Sequence, residues 1–118
     1  MRYLCLVYHE EAKIQALPKR EYDAIIGEVL DYREELRQSG HYIASAPLQS
    51  VHMSTTICVR NGKVVITDGP FAETKEQLGG FYLINARDLN DAIRVAAKMP
   101  PAQLGWIEIR PIEELNPQ

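Results

Sequence analysis

The sequence predicts an α+β fold, one sheet backed by one layer of helices, on three observations. Strand-like runs open and close the chain, one amphipathic helical pattern follows the first strand and a second precedes the last, and a β-hairpin signal occupies the middle. Arg2 to His9 is rich in β-forming residues with apolar side chains at both parities, the pattern of a central strand whose two faces both want cover. Leu17-Pro18 opens a helix with proline in its first turn. Tyr22, Ile25, Ile26, Val29 and Leu36 recur at helical spacing, Arg33 is the one residue that breaks the stripe, and Gly40 supplies the stop. His41 to Pro47 is extended but weakly patterned. Thr55 to Arg60, Asn61-Gly62 and Lys63 to Thr67 then carry a strong hairpin signal, because a type I′ turn needs left-handed backbone at both central residues and Asn-Gly adopts it at little cost.

Asp68 to Gln77 is too polar and turn-rich for a strand. Leu78 to Asn85 resumes one, entered through Gly79-Gly80, where a bulge or a close backbone approach is expected. A cap at Asp88 or Asn90 starts the second helix, which turns Ala92, Ile93, Ala96 and Ala97 inward and ends at Met99 before Pro100-Pro101. Trp106 to Ile112 closes the chain as a strand, with Ile107 and Ile109 on one face and Trp106, Glu108 and Arg110 on the other. The order β-α-β-β-β-β-α-β suits a ferredoxin-like sandwich with an extra β-hairpin. Two helices cover only one face of such a sheet, yet the first strand and Phe81 to Ile84 are apolar on both. The economical remedy is a homodimer whose sheets face each other and enclose a space.

Composition narrows the function. A chain of 118 residues fits a single domain over 1–118, since two cores of half that length would each be marginal. Sixteen acidic and thirteen basic residues leave a net charge of −3 without a basic patch, so neither nucleic acid nor an anionic membrane is an expected partner. Tyr3 to Tyr8 is the longest early apolar run, too short for a signal peptide or a membrane span, and a cytoplasmic location follows as an expectation. Cys5 and Cys58 lack metal or redox spacing and read as small buried hydrophobes. None of His9, His41 and His52 stands at helical ligand spacing, and no phosphate-cradling loop, nucleophile elbow or dinucleotide fingerprint occurs, so no metal or other cofactor is expected.

Functional groups concentrate between Thr67 and Phe81. Asp68-Gly69-Pro70 is turn chemistry, and Phe71 reads as an anchor pinning the loop to the core. Asp68, Glu73, Lys75 and Glu76 either tune a carboxylate and bind a polar ligand, or form a solvated helical turn in which Glu73 and Glu76 or Gln77 satisfy first-turn amides. His9, ending the first strand, is either a surface residue or an acid or base at the rim of the inter-sheet cleft. Arg110 shares with Glu108 the face a dimer would enclose, where it pairs with Glu108 or holds an anionic ligand; Tyr3, Cys5, Tyr82 and Trp106 are candidates for the same face.

The segment Asp68-Gly69-Pro70-Phe71-Ala72-Glu73-Thr74-Lys75-Glu76, followed by Gly79-Gly80-Phe81, resembles the signature of the DGPF-domain group of YciI-related proteins. Arg2-Tyr3-Leu4, Thr55-Thr56 before Asn61-Gly62, and Ile107 to Pro111 extend the resemblance over nearly the whole chain. It implies a ferredoxin-like subunit of a dimeric α+β barrel. It also implies a suspected enzymatic activity, because related YciI-like proteins present a His-Asp pair in a cleft, although no histidine here maps onto theirs by motif. The resulting expectation is a small-molecule-binding protein or enzyme working by general acid/base chemistry in a cleft of the dimer. Asp68 and His9 are its candidate catalytic residues, and Arg110, Tyr82, Glu73 and Lys75 its ligand-binding ones. The alternative is a non-catalytic interaction protein associated with transcription, since some relatives accompany alternative sigma factors.

Overall fold

The computed structural model describes residues 1–116. Its strands are β1 (Arg2–His9), β2 (Tyr42–Pro47), β3 (Thr55–Arg60), β4 (Lys63–Asp68), β5 (Gln77–Asn85) and β6 (Trp106–Pro111); its helices are α1 (Glu11–Gln15), α2 (Lys19–Gln38) and α3 (Leu89–Ala97). Short 3-10 turns occupy Val51–Met53 and Pro100–Gln103. An antiparallel four-stranded sheet has the order β2-β5-β1-β6, and β3-β4 forms a separate two-stranded hairpin. With that hairpin set aside, the strand order is that of the ferredoxin-like sandwich.

Register decides which side of the sheet is the core. Tyr3 opposes Ile84, Cys5 opposes both Tyr82 and Ile109, and Val7 opposes Ile107. These side chains pack with Tyr32 and Leu36 of α2 and with Ala92, Val95, Ala96 and Met99. Tyr3, Cys5 and Tyr82 therefore lie on the helix-facing side, opposite to the expectation that they share a face with Arg110; Arg110 opposes Leu4, one step out of phase. The Tyr32 hydroxyl donates to the Val95 carbonyl at 2.7 Å and ties α2 to α3. Burial pushes the Cys5 thiol up to about 11, as befits an inert packing residue.

Several local expectations hold and several do not. Asn61 (φ 51°) and Gly62 (φ 74°) are both left-handed, as a type I′ turn requires. Asp88 caps α3 by accepting from the Asp91 amide at 2.8 Å. The inward residues of α3 are Asp91, Ala92, Val95 and Ala96, whereas Ile93 is 48% exposed and Ala97 also faces out, because the buried stripe runs from Ala92 three and four residues onward. α1 was not anticipated. Residues 69–76 form no helical turn; Gln77 Nε2 donates to the carbonyls of Thr74 (2.7 Å) and Lys75 (3.2 Å), and the Thr74 hydroxyl to that of Glu76. Phe71 is 91% exposed and anchors nothing within the chain. Cys58 is half-buried on the hairpin rather than in the core.

The molecule is flat, 50 × 47 × 19 Å, with a radius of gyration of 16.4 Å; a compact chain of this length has roughly 13–14 Å. The projecting hairpin exposes Ile57, Val59, Val64, Val65 and Ile66. On the sheet face away from the helices Leu4, Leu6, Phe81 and Leu83 are only half-buried.

One buried charge joins the helix ends. Asp91 accepts from the Arg87 amide (3.0 Å) and from the Arg94 guanidinium (2.5 Å), and lies 3.2 Å from His41 Nε2, whose Nδ1 is 2.7 Å from Ser39 Oγ at the end of α2. The Arg87 amide, with Arg94 and His41, holds the Asp91 carboxyl well below the usual carboxylate range. A carboxyl depressed by folding stabilises the native state above its unfolded value and loses that contribution as the pH falls toward its folded one. Asp91→Asn is accordingly expected to melt below the wild type at pH 7, and the gap to shrink steadily below about pH 4. Thermal unfolding of both proteins across that range checks it.

Candidate functional site

A cavity of about 690 Å³ opens on the helix-facing side of the sheet. Its origin is local. Tyr32 and Leu36 bury the C-terminal half of α2, but beneath the N-terminal half the sheet offers Ser45, Gly79 and Gly80, which have little or no side chain to fill the gap. Ile25 and Val29 stay half-buried, Tyr22, Ile26 and Leu30 exposed, and together they form one wall of an apolar cleft. The polar groups that reach it include His9, Glu11, Arg33, Ser45, Ser50 and Tyr82.

His9 shares the parity of Tyr3, Cys5 and Val7, so β1 delivers its ring to the cleft. The β1–β5 register slips between Val7 and Tyr8, leaving Gly79 as an extra residue on β5. Both neighbouring glycines are obligatory for this placement. A Cβ at position 79 would fall on Nε2 of the His9 ring, and one at 105 would fall on the Tyr8 carbonyl and approach His9 Cα to 3.1 Å. The ring nitrogen Nδ1 is buried without a partner, and so is Nε of Arg33. Each such group costs about 1–3 kcal/mol of lost hydration.

The surrounding groups are tied down. The Ser50 hydroxyl and the Val51 amide (3.2 Å) hold the Glu11 carboxyl low, and the nearby imidazoles of His52 and His9 add to this. The Glu11 amide donates to Gln77 Oε1 at 2.9 Å, which fixes the start of α1 against β5. Burial raises the Tyr82 hydroxyl above its ordinary value, with the Arg33 charge acting in the opposite direction. A second cavity, about 470 Å³, lies between α1 and the 70–75 segment and shares Glu11 and Gln15 with the first. There Lys75 Nζ is 3.6 Å from Glu10, which also meets Lys13 at 3.4 Å. Among the described residues no group of three or more His, Cys, Asp or Glu could hold a metal ion.

The sequence-derived candidates separate accordingly. His9 and Tyr82 line the helix-side cleft, and Glu73 and Lys75 line the second cavity. Asp68, exposed at the end of β4, opposes Thr55 and receives no hydrogen bond on its carboxylate from a described residue. The adjoining turn is held by its backbone instead, Gly69 (φ 106°) donating to the Ser54 carbonyl at 2.8 Å and accepting from the Thr56 hydroxyl at 2.8 Å. Arg110 is exposed on the face away from the helices, and no ion pair joins it to Glu108 among the described residues. Within one chain, then, His9, Asp68 and Arg110 occupy three different surfaces. Arg33, Glu11 and Gly105 belong to the His9 environment without having been singled out for it; only Arg33 left a signal, as the charge interrupting an apolar helix stripe.

The strand order and the single helix layer define a ferredoxin-like α+β fold. The chain belongs to the YCII-related domain family, which it matches over residues 1–116. An uncharacterized protein of Rhizobium meliloti (strain 1021) is 32% identical to it over 119 aligned residues, covering 99% of this chain and 96% of the relative. Among solved structures it is similar to 5-chloro-2-hydroxyhydroquinone dehydrochlorinase (TftG) from Burkholderia phenoliruptrix AC1100 in complex with 2,5-dihydroxybenzoquinone. That likeness has a TM-score of 0.55 and 14% identity and covers 96% and 94% of the two chains, which is a likeness of fold. No helix among the described residues is long and apolar enough to cross a membrane.

The two glycines make distinguishable demands. Gly105→Ala meets backbone and is expected to cost about 1–3 kcal/mol. Gly79→Ala meets the far end of a side chain, so it is expected to cost less while displacing the His9 ring. Chemical denaturation of both variants, with the His9 ring resonances followed by NMR, checks the contrast.

Proposed function

We propose that this chain binds a small organic molecule in the helix-side cleft and that His9 acts there as a general acid or base, in a homodimer. The observation that carries the reading is the buried, unpartnered Nδ1 of His9 in a largely apolar cavity whose volume is ordinary for a ligand site. A neutral imidazole can accept a proton at one nitrogen while donating from the other, and a cleft that excludes water strengthens both interactions. Tyr82 and Ser45 supply hydroxyls to orient the ligand, and Glu73 and Lys75 line the adjoining second cavity. The fold's use by a dehydrochlorinase of a hydroxylated aromatic ring supports a small-molecule role. Asp68 and Arg110 reach no cavity within one chain, so a part for either in the chemistry would come through the second copy.

Titration with hydroxylated aromatics, beginning with 2,5-dihydroxybenzoquinone, is expected to shift the His9 and Tyr82 NMR resonances; perturbation confined to other surfaces sinks the reading. His9→Gln is expected to lower any proton-transfer turnover by about 100-fold or more while leaving stability within about 1 kcal/mol, since one polar side chain of similar reach replaces another.

The homodimer rests on the half-covered sheet face and the projecting apolar hairpin, and light scattering should report twice the 13.4 kDa chain mass. A chain that stays at 13.4 kDa with this hairpin exposed favours the second reading, a non-catalytic protein whose hairpin engages a different partner.

A further inference from the structure

We propose that Arg33 reads the anionic head of the cleft's ligand, and that the ligand is an amphipathic organic carboxylate whose apolar body lies along α2. This rests on the reading of the cleft as a ligand site and names the ligand's class. Arg33 occupies a position where the stripe of α2 is otherwise apolar, and its side chain lines the cavity. On the same helix Lys19 pairs with Asp23 at 2.7 Å and Arg37 with Glu34 at 3.4 Å, while Arg20 is exposed to solvent. No such ion pair engages Arg33 among the described residues. Its buried Nε has no acceptor at all.

Nε is one arm of the side-on fork by which a guanidinium grips a carboxylate with two parallel hydrogen bonds. A buried guanidinium nitrogen without an acceptor is costly, and a carboxylate supplies both a counter-charge and the missing acceptor. The cleft's own carboxylate, Glu11, does not fill that role, being engaged by Ser50 and Val51. Arg33 and His9 line the same cavity, so a ligand that meets both carries its carboxylate at one end of an apolar body.

The test compares 2-naphthoate with the neutral, nearly isosteric 2-naphthamide by calorimetric titration of the whole protein. Wild type is expected to bind the carboxylate about 10- to 100-fold more tightly than the amide. Arg33→Gln is expected to abolish that preference. Arg33→Lys, which keeps the charge but not the fork, is expected to retain a reduced preference and gives the same answer where the glutamine variant does not fold. Equal binding of the two probes by wild type, or a preference that survives Arg33→Gln, overturns the assignment while leaving the cleft as a ligand site. Binding of neither probe overturns the assignment together with the cleft reading beneath it.

Discussion

The alternation of β1 between its two antiparallel neighbours governs the rest of this structure. Cys5 must oppose Tyr82 on one side and Ile109 on the other for the helix layer to find a continuous apolar surface. Once that register is set, period two carries Tyr3, Val7 and His9 to the same side. His9 is thus placed by the same constraint that packs the core, and a slip of one residue would send the core and the histidine together to the opposite face. The one irregularity, the extra Gly79 on β5, falls where the His9 ring needs backbone without a side chain.

The cleft is made as much by missing atoms as by those present. α2 is pinned at its C-terminal half through Tyr32 and Leu36, while the sheet under its other half is built from Ser45 and two glycines. Filling that gap with larger side chains would add apolar burial, so leaving it open forgoes stability. Two unpartnered nitrogens, one on His9 and one on Arg33, add to the cost. These departures from good packing and full hydrogen bonding converge on one cavity, and it is on them that the proposed ligand site rests.

By contrast, the charges that stabilise the scaffold are fully engaged. Asp91 has a backbone amide, a guanidinium and an imidazole around it, and it fastens the end of α2 to the start of α3. His41 and Asp91 form a His-Asp pair, but it lines neither cavity, and its carboxylate is saturated by donors. The flat outline goes with a sheet whose second apolar face is left half-covered by the chain's own helices.

What the sequence determined by itself was local. The Asn61-Gly62 turn, the Asp88 cap, the irregularity at Gly79-Gly80 and the split of Ile107 and Ile109 from Trp106, Glu108 and Arg110 each depend on backbone preference or strict alternation within a few residues. The ferredoxin-like order of elements was legible for the same reason. Which face of β1 and β5 meets the helices was not, because both strands are apolar on both faces and periodicity is then silent; Tyr82 was accordingly placed with Arg110 when it lies opposite. Nor could the chain show that Phe71 stays in solvent, that Asp68 leaves on a separate hairpin, or that Arg33 and His9 border one space. A cavity is an absence shared among α2, β1, β2 and β5, and only tertiary packing, which sets the distances between elements, decides where side chains fail to meet.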